Sequence, residues 1–169
     1  MRRLTHKRSI KFNLLNEDET QGFTLVELLV VVLIVSVLAA VAIPIAETSI
    51  KREREIEFRR NLRLIRSAID EYKIFVTEKN IKMDDDRYGY PEELDELVEG
   101  VEYRDEKNKE RIKKFLRKIP IDPITNTYEW GVRSYQDKKD SQTWGEENVY
   151  DVYTKSERKA LDGTYYKEW

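Results

Sequence analysis

The sequence predicts an α+β fold, in which one long N-terminal helix packs against a small antiparallel β-sheet. Three observations indicate this fold. About twenty residues from Phe23 onward are almost all apolar, which is long enough for a helix that crosses the roughly 30 Å hydrocarbon core of a membrane. Further along, residues 58–76 repeat apolar side chains at helical spacing. Residues 128–133 then alternate between two faces in the manner of a β-strand.

The apolar segment begins with a single carboxylate, Glu27, and carries no charge from Leu28 to Ile43. The residues alone leave three interpretations open. The segment is a permanent single-pass anchor, or a secretory signal peptide with a small-residue cleavage site at 40–42, or an anchor whose leader is removed after Gly22.

The flanking charge predicts the orientation of this segment. Residues 1–22 hold five Lys or Arg side chains against three acidic ones. Because the more basic flank stays in the cytoplasm, the chain after the apolar segment is expected on the other side of the membrane.

The same helix is predicted to continue over residues 45–80. Its charged faces are separated by one apolar stripe with spacings of 4, 3, 4, 3 and 4, formed by Phe58, Leu62, Ile65, Ile69, Tyr72 and Val76. We expect the rest of the chain to cover this stripe. Pro44 has no N–H group to donate, so it is expected to bend or loosen the helix near the end of the apolar segment.

The remaining chain predicts short elements. A helix is expected to begin at Pro91 and to stop at Gly100, and a second, amphipathic helix is expected over 105–118. Alternating residues predict strands within 128–133 and 148–154. Most of the aromatic side chains after residue 127 are expected to pack in the core between this sheet and the long helix.

Composition argues against several functions. The net charge is −2, which gives no indication of nucleic-acid binding. The sequence has no cysteine, and its single histidine is His6, so thiol catalysis and a histidine base in the folded part are not expected. We therefore expect a protein that is not an enzyme; a membrane-anchored enzyme or sensor remains the alternative from another functional class.

The stretch GFTLVE, residues 22–27, followed by an apolar helix, resembles the processing signal of type IV pilins and of the pseudopilins of type II secretion. The resemblance implies that a prepilin peptidase cuts between Gly22 and Phe23 and methylates the new amino group of Phe23. Glu27 and Pro44 match the glutamate and proline of that family. The implied organisation is a cytoplasmic leader at 1–22, a transmembrane helix at 23–43, its periplasmic continuation at 44–80, and a globular α+β domain at 81–169.

Three downstream stretches resemble the major, G-type pseudopilins: YPEELDELV, LRKIPIDPITNTYEW and DVYTKSERKALDGTYYKEW. The resemblance implies a subunit anchored in a bacterial inner membrane that polymerises with itself into a periplasmic pseudopilus. Its implied partners are the prepilin peptidase, the minor pseudopilins and an inner-membrane assembly platform. A pilin of a surface pilus is the alternative within the same class.

The position of Glu27 suggests a role in assembly. An ionised carboxylate in the hydrocarbon region costs on the order of 2–3 kcal/mol. After cleavage, the amine of Phe23 on a neighbouring subunit would offer a positive partner, whereas the uncut chain has only a peptide amide there. Cleavage would then act as the switch for assembly.

A Ca²⁺ site is a further expectation, in the loop 151–163. Asp151 and Asp162 flank Ser156, and hard oxygen ligands on a loop suit Ca²⁺. The resemblance implies calcium in this loop. The alternative is that both aspartates only cap turns.

Overall fold

The computed structural model describes residues 22–169. The predictions for residues 1–21, which concern the leader and its charge, lie outside the described residues. The described chain divides into two compact units, residues 22–42 and residues 43–169, and each is considered by itself.

The elements follow one another as one long helix, a short helix and four strands. They are α1 (Leu25–Glu78), α2 (Glu96–Glu99), β1 (Val101–Arg104), β2 (Glu110–Lys113), β3 (Trp130–Arg133) and β4 (Asp151–Thr154), with 3₁₀ turns at Asp85–Arg87 and Tyr166–Glu168. This is the predicted α+β class, with the long N-terminal helix first.

The core of the second unit is built on the predicted stripe of α1, whose six residues are all buried. Phe58 begins this stripe and has no exposed surface. Its ring stacks on Trp130 at 5.9 Å between centroids and meets Tyr166 edge-on at 6.0 Å. Such aromatic contacts add to the apolar area that this helix face removes from water.

The strands form two separate two-stranded antiparallel sheets, β1–β2 and β3–β4, in place of the single small sheet that the sequence predicts. The second sheet carries the buried aromatic contacts of the core, since Trp130 begins β3 and pairs with Thr154 of β4. The expectation for the aromatics after residue 127 is confirmed only in part, because Tyr128 and Tyr135 are exposed.

The predicted helix over 105–118 is wrong, because residues 101–113 form the β1–β2 hairpin. The turn is stabilised by the Asp105 carboxylate, which accepts hydrogen bonds from the N–H groups of Lys107 and Lys109 at 2.9 Å each. Asn108 adopts a left-handed conformation with φ 57°. Aspartate and asparagine favour such local turns over helix, and here their hydrogen bonds outweigh the apolar spacing.

The predicted helix start at Pro91 is also wrong, since α2 begins five residues later at Glu96. Pro91 is instead buried, and its carbonyl accepts a hydrogen bond from Val149 N–H at 2.7 Å. The predicted stop is confirmed: Gly100 follows α2 with φ 89°. A Cβ at this position would lie 2.5 Å from the Lys113 carbonyl oxygen, so only glycine fits both the conformation and the space.

Candidate functional site

The predicted cleavage position lies just before α1. Gly22 and Phe23 are outside the helix, and the Phe23 side chain is 81% exposed. A Cβ at Gly22 would have no heavy atom within 4 Å apart from its chain neighbours. Within the described residues, the bond between Gly22 and Phe23 is therefore open to approach.

Thr24 is a feature of this segment that the sequence analysis overlooked. It caps α1: its hydroxyl oxygen accepts a hydrogen bond from Glu27 N–H at 3.2 Å, and its carbonyl accepts one from Leu28 N–H at 3.1 Å. The signal was available, because a threonine followed three residues later by glutamate before an apolar run is the pattern of a capping box.

Glu27 lies in the first turn of α1, where the positive end of the helix dipole stabilises its negative charge. Its side chain is exposed, and no basic side chain among residues 22–169 lies within ion-pair distance of it. A positive partner for Glu27 would have to come from outside the described chain.

The first part of α1 is apolar and exposed. Every large apolar side chain from Leu25 to Ile43 is on the surface, and α1 is the one helix among the described residues that is long and apolar enough to cross a membrane. The hydroxyl of Ser36 donates to the Val32 carbonyl at 2.7 Å. This contact satisfies the only polar side chain between Leu28 and Ile43, which is what a lipid environment requires.

Pro44 does not interrupt α1, which continues to Glu78. The next turn places two hydroxyl groups on main-chain carbonyls: Thr48 donates to Pro44 at 2.9 Å, and Ser49 donates to Ile45 at 3.0 Å. Hydroxyl groups that return to the preceding turn are common in helices.

The predicted calcium ligands already have partners of their own. Asp151 accepts hydrogen bonds from Arg66 at 2.7 and 3.3 Å and from Arg133 at 3.4 Å. Ser156 Oγ accepts hydrogen bonds from the N–H and Nε of Arg158. These two side chains direct their oxygens to guanidinium and amide donors.

Asp162 caps a turn, which is the alternative reading of this residue. Its Oδ1 accepts hydrogen bonds from the hydroxyl and the N–H of Thr164 at 2.6 and 3.0 Å, and these bonds lower the pKa of Asp162. Arg59 lies 3.9 Å from its other oxygen. Among residues 22–169, no three His, Cys, Asp or Glu side chains are grouped to hold a metal ion. The three side chains predicted for calcium are thus each engaged by hydrogen-bond donors of the chain itself.

Comparison with known proteins finds a sequence motif at the start of α1 and a similar protein. Residues 20–43 match the prokaryotic N-terminal methylation motif. The chain carries the methylation motif of prokaryotic pilin-type proteins. It is also 27% identical over 115 residues to the type II secretion system core protein G of Pseudomonas aeruginosa, an alignment that covers 66% of this chain and 73% of that protein. No solved structure matches the chain significantly.

The methylation motif contains three of the four residues predicted for processing and assembly: Gly22, Phe23 and Glu27. Pro44 follows it directly. The overlooked cap, Thr24, also belongs to the motif. The predicted calcium residues all lie in the second unit, which also contains strands β3 and β4.

Proposed function

We propose that this chain is a pseudopilin of a type II secretion system, which is processed at Gly22–Phe23 and then polymerises. The methylation motif and the homologous core protein G support a type II secretion pseudopilin, and a pilin of a surface pilus is not better supported. The match to the methylation motif carries the proposal.

The exposed apolar segment supports polymerisation. No part of residues 22–169 covers the side chains from Leu25 to Ile43, although the stripe further along α1 is fully covered. Lipid would cover this segment in an isolated subunit, and neighbouring copies of the same segment would cover it in a filament. Assembly then exchanges lipid contacts for helix packing, as in other membrane helix bundles.

In this proposal, Glu27 sets the axial register between neighbouring subunits. The carboxylate costs on the order of 2–3 kcal/mol in hydrocarbon, and a cation from another copy offsets this cost. The amino group of the processed Phe23 is that cation, and it remains protonated when it carries one methyl group. The uncut precursor has a neutral amide at the same place, so it cannot form the pair.

The proposal assigns a structural role and no catalysis. The relative is a secretion-system core protein, which suggests a protein that is not an enzyme. Assembly with other secretion components follows from the same relationship. The partners we propose are copies of this chain, a prepilin peptidase, minor pseudopilins and an inner-membrane platform.

The exposed apolar helix and the methylation motif fit a membrane-anchored subunit. We propose that the anchor lies in a bacterial inner membrane, with the N-terminus in the cytoplasm and the strand-bearing unit in the periplasm.

The processing step is tested by intact mass and N-terminal sequencing of the protein from membranes of cells that contain a prepilin peptidase. We expect a mature chain that begins with N-methylated Phe23. A chain that begins at Ile43 would show a secretory signal peptide, and an uncut chain in the presence of the peptidase would also contradict the proposal.

The assembly step is tested with Glu27→Ala. We expect normal membrane insertion and cleavage but a loss of filaments of at least tenfold, since the amine of Phe23 on the neighbouring copy then has no carboxylate to pair with. Glu53→Ala is the matched control, because Glu53 is an exposed acid on the same helix with no ion-pair partner among the described residues. Filaments of normal abundance and length in Glu27→Ala would rule out the pairing.

A further inference from the structure

We propose that two side chains of α1, Glu55 and Arg66, provide the structural stabilisation that was predicted for a calcium ion. In this proposal they fix strand β4 and the loop 155–166 to α1, so that the unit 43–169 folds without Ca²⁺. The proposal concerns this unit and does not depend on the function proposed above.

Arg66 joins three parts of the chain. Its guanidinium donates to the Asp151 carboxylate through Nε at 2.7 Å and through Nη2 at 3.3 Å. The same group donates to the main-chain oxygens of Val152 at 3.2 Å and Trp169 at 2.9 Å. A planar guanidinium thereby binds one carboxylate and two carbonyl oxygens, the ligand types that Ca²⁺ also prefers.

Arg133 completes the neutralisation of Asp151. It is buried, its Nη1 lies 3.4 Å from Asp151 Oδ2, and its Nε donates to the Ser141 carbonyl at 2.8 Å. Its guanidinium also lies 4.0 Å from the centre of the Tyr153 ring. With two guanidinium groups against one carboxylate, the surroundings of Asp151 already carry excess positive charge, which disfavours a divalent cation.

Glu55 holds the loop in a similar way from a second position on α1. Its Oε1 accepts hydrogen bonds from Leu161 N–H and from the hydroxyl of Tyr166, both at 2.8 Å. Glu55 and Arg66 are eleven residues apart, which is about three helical turns, so they project from the same side of α1. One helix face therefore presents an acceptor to the loop and a donor to β4.

The loop also closes on itself without a metal. Ala160 N–H donates to the Thr164 carbonyl at 2.8 Å, and Tyr166 N–H donates to the Arg158 carbonyl at 3.3 Å. The Asp162 turn described above lies between these bonds. The loop contains three basic side chains, Lys155, Arg158 and Lys159, against two acidic ones, Glu157 and Asp162, so its net charge is positive and opposes a bound cation.

The first experiment uses the full chain in detergent and follows thermal unfolding in 1 mM EDTA and in 1 mM CaCl₂. We expect the two midpoints to agree within about 1 °C, because ligand binding to the folded state alone would raise the midpoint with concentration. A midpoint that EDTA lowers by more than about 3 °C and that CaCl₂ restores would overturn the proposal.

The second experiment compares matched variants in the same assay. Arg66→Met should lower the midpoint by roughly 5–10 °C, since it leaves Asp151 and two carbonyls without their main donor. Its control is Arg63→Met, an exposed arginine of the same helix that makes no hydrogen bond among the described residues. Equal midpoints for these two variants would contradict the proposal that Arg66 attaches β4 to α1.

Glu55 gives an independent test by the same thermal unfolding measurement if Arg66→Met yields too little folded protein. Glu55→Ala should lower the midpoint by roughly 3–6 °C, whereas Glu57→Ala on the exposed face should leave it within about 1 °C. A Glu55→Ala protein as stable as Glu57→Ala would overturn the role given to Glu55, and the EDTA comparison on the unaltered chain decides the calcium question by itself.

Discussion

The two parts of α1 differ in whether the described chain buries their apolar side chains. From Leu25 to Ile43 the large apolar side chains are exposed all around the helix, whereas from Phe58 to Val76 six of them form a single buried stripe. The second part finds its partner in its own chain, because residues from 90 to 166 cover the stripe. The first part has no such partner among the described residues. One continuous helix thus contributes one part to the core of the second unit, while its other part stays uncovered by the described residues.

The largest expected effect is a difference in thermal stability between a substitution in the buried part of α1 and one in its exposed part. Phe58→Ala should lower the midpoint of thermal unfolding of the full chain in detergent by roughly 6–20 °C, because it opens a cavity between Trp130 and Tyr166. Leu33→Ala removes a side chain of similar apolar character that is 64% exposed, so the midpoint should not change. Equal losses in both variants would show that the first part also contributes to the fold of the subunit.

A smaller effect concerns the beginning of the first part. Thr24→Ala removes the hydroxyl that caps Glu27 N–H, which should cost about 1 kcal/mol and speed hydrogen exchange of the first-turn amides about fivefold. Thr48→Ala is the control, since that hydroxyl only returns to the Pro44 carbonyl within the helix. Unchanged exchange at Glu27 in Thr24→Ala would show that the cap contributes nothing to the helix start.

The smallest expected effect is a loss of stability in alkali, and it should arise from the second part alone. Burial, with the Glu96 carboxylate as its hydrogen-bond partner, raises the pKa of Tyr72 above its ordinary value of 10.0. Burial and Glu55 likewise raise the pKa of Tyr166. Because the folded-state pKa is raised, this contribution to stability is complete below pH 10 and is lost as the pH rises above it.

The measurement is the unfolding midpoint between pH 9 and pH 11.5. We expect a gradual decrease above pH 10, and a smaller one in Tyr72→Phe, which has no phenol to ionise. A midpoint that decreases equally in both proteins would assign the loss to other groups.

The comparison also shows which parts of the fold follow from local sequence patterns. The stripe of α1 is confirmed at all six positions, because helical periodicity over nineteen residues has no competing explanation. The β1–β2 hairpin was mistaken for a helix, because Ile112, Phe115 and Leu116 imitate helical spacing. The deciding interaction is the Asp105 turn, whose weight is not visible in apolar spacing.

The candidate site divides in the same way. The match to the methylation motif was predicted from contiguous residues, 22–27, since the information in such a motif is local. The environment of Asp151 could not be predicted, because Arg66 and Arg133 are 85 and 18 residues away along the chain. An aspartate followed by Ser156 and Asp162 gives the same sequence pattern whether a metal or two arginines neutralise the first carboxylate.

The bond between Arg66 and the Trp169 carbonyl has a practical consequence for imaging. A fluorescent protein or epitope inserted directly after Trp169 would have to leave this hydrogen bond in place, together with the Trp169 ring, which packs against Phe58 at 5.9 Å. The tip of the β1–β2 hairpin, residues 106–109, is exposed and distant in sequence from both ends of α1. A short tag inserted there would let the subunit be followed by microscopy while this attachment stays intact.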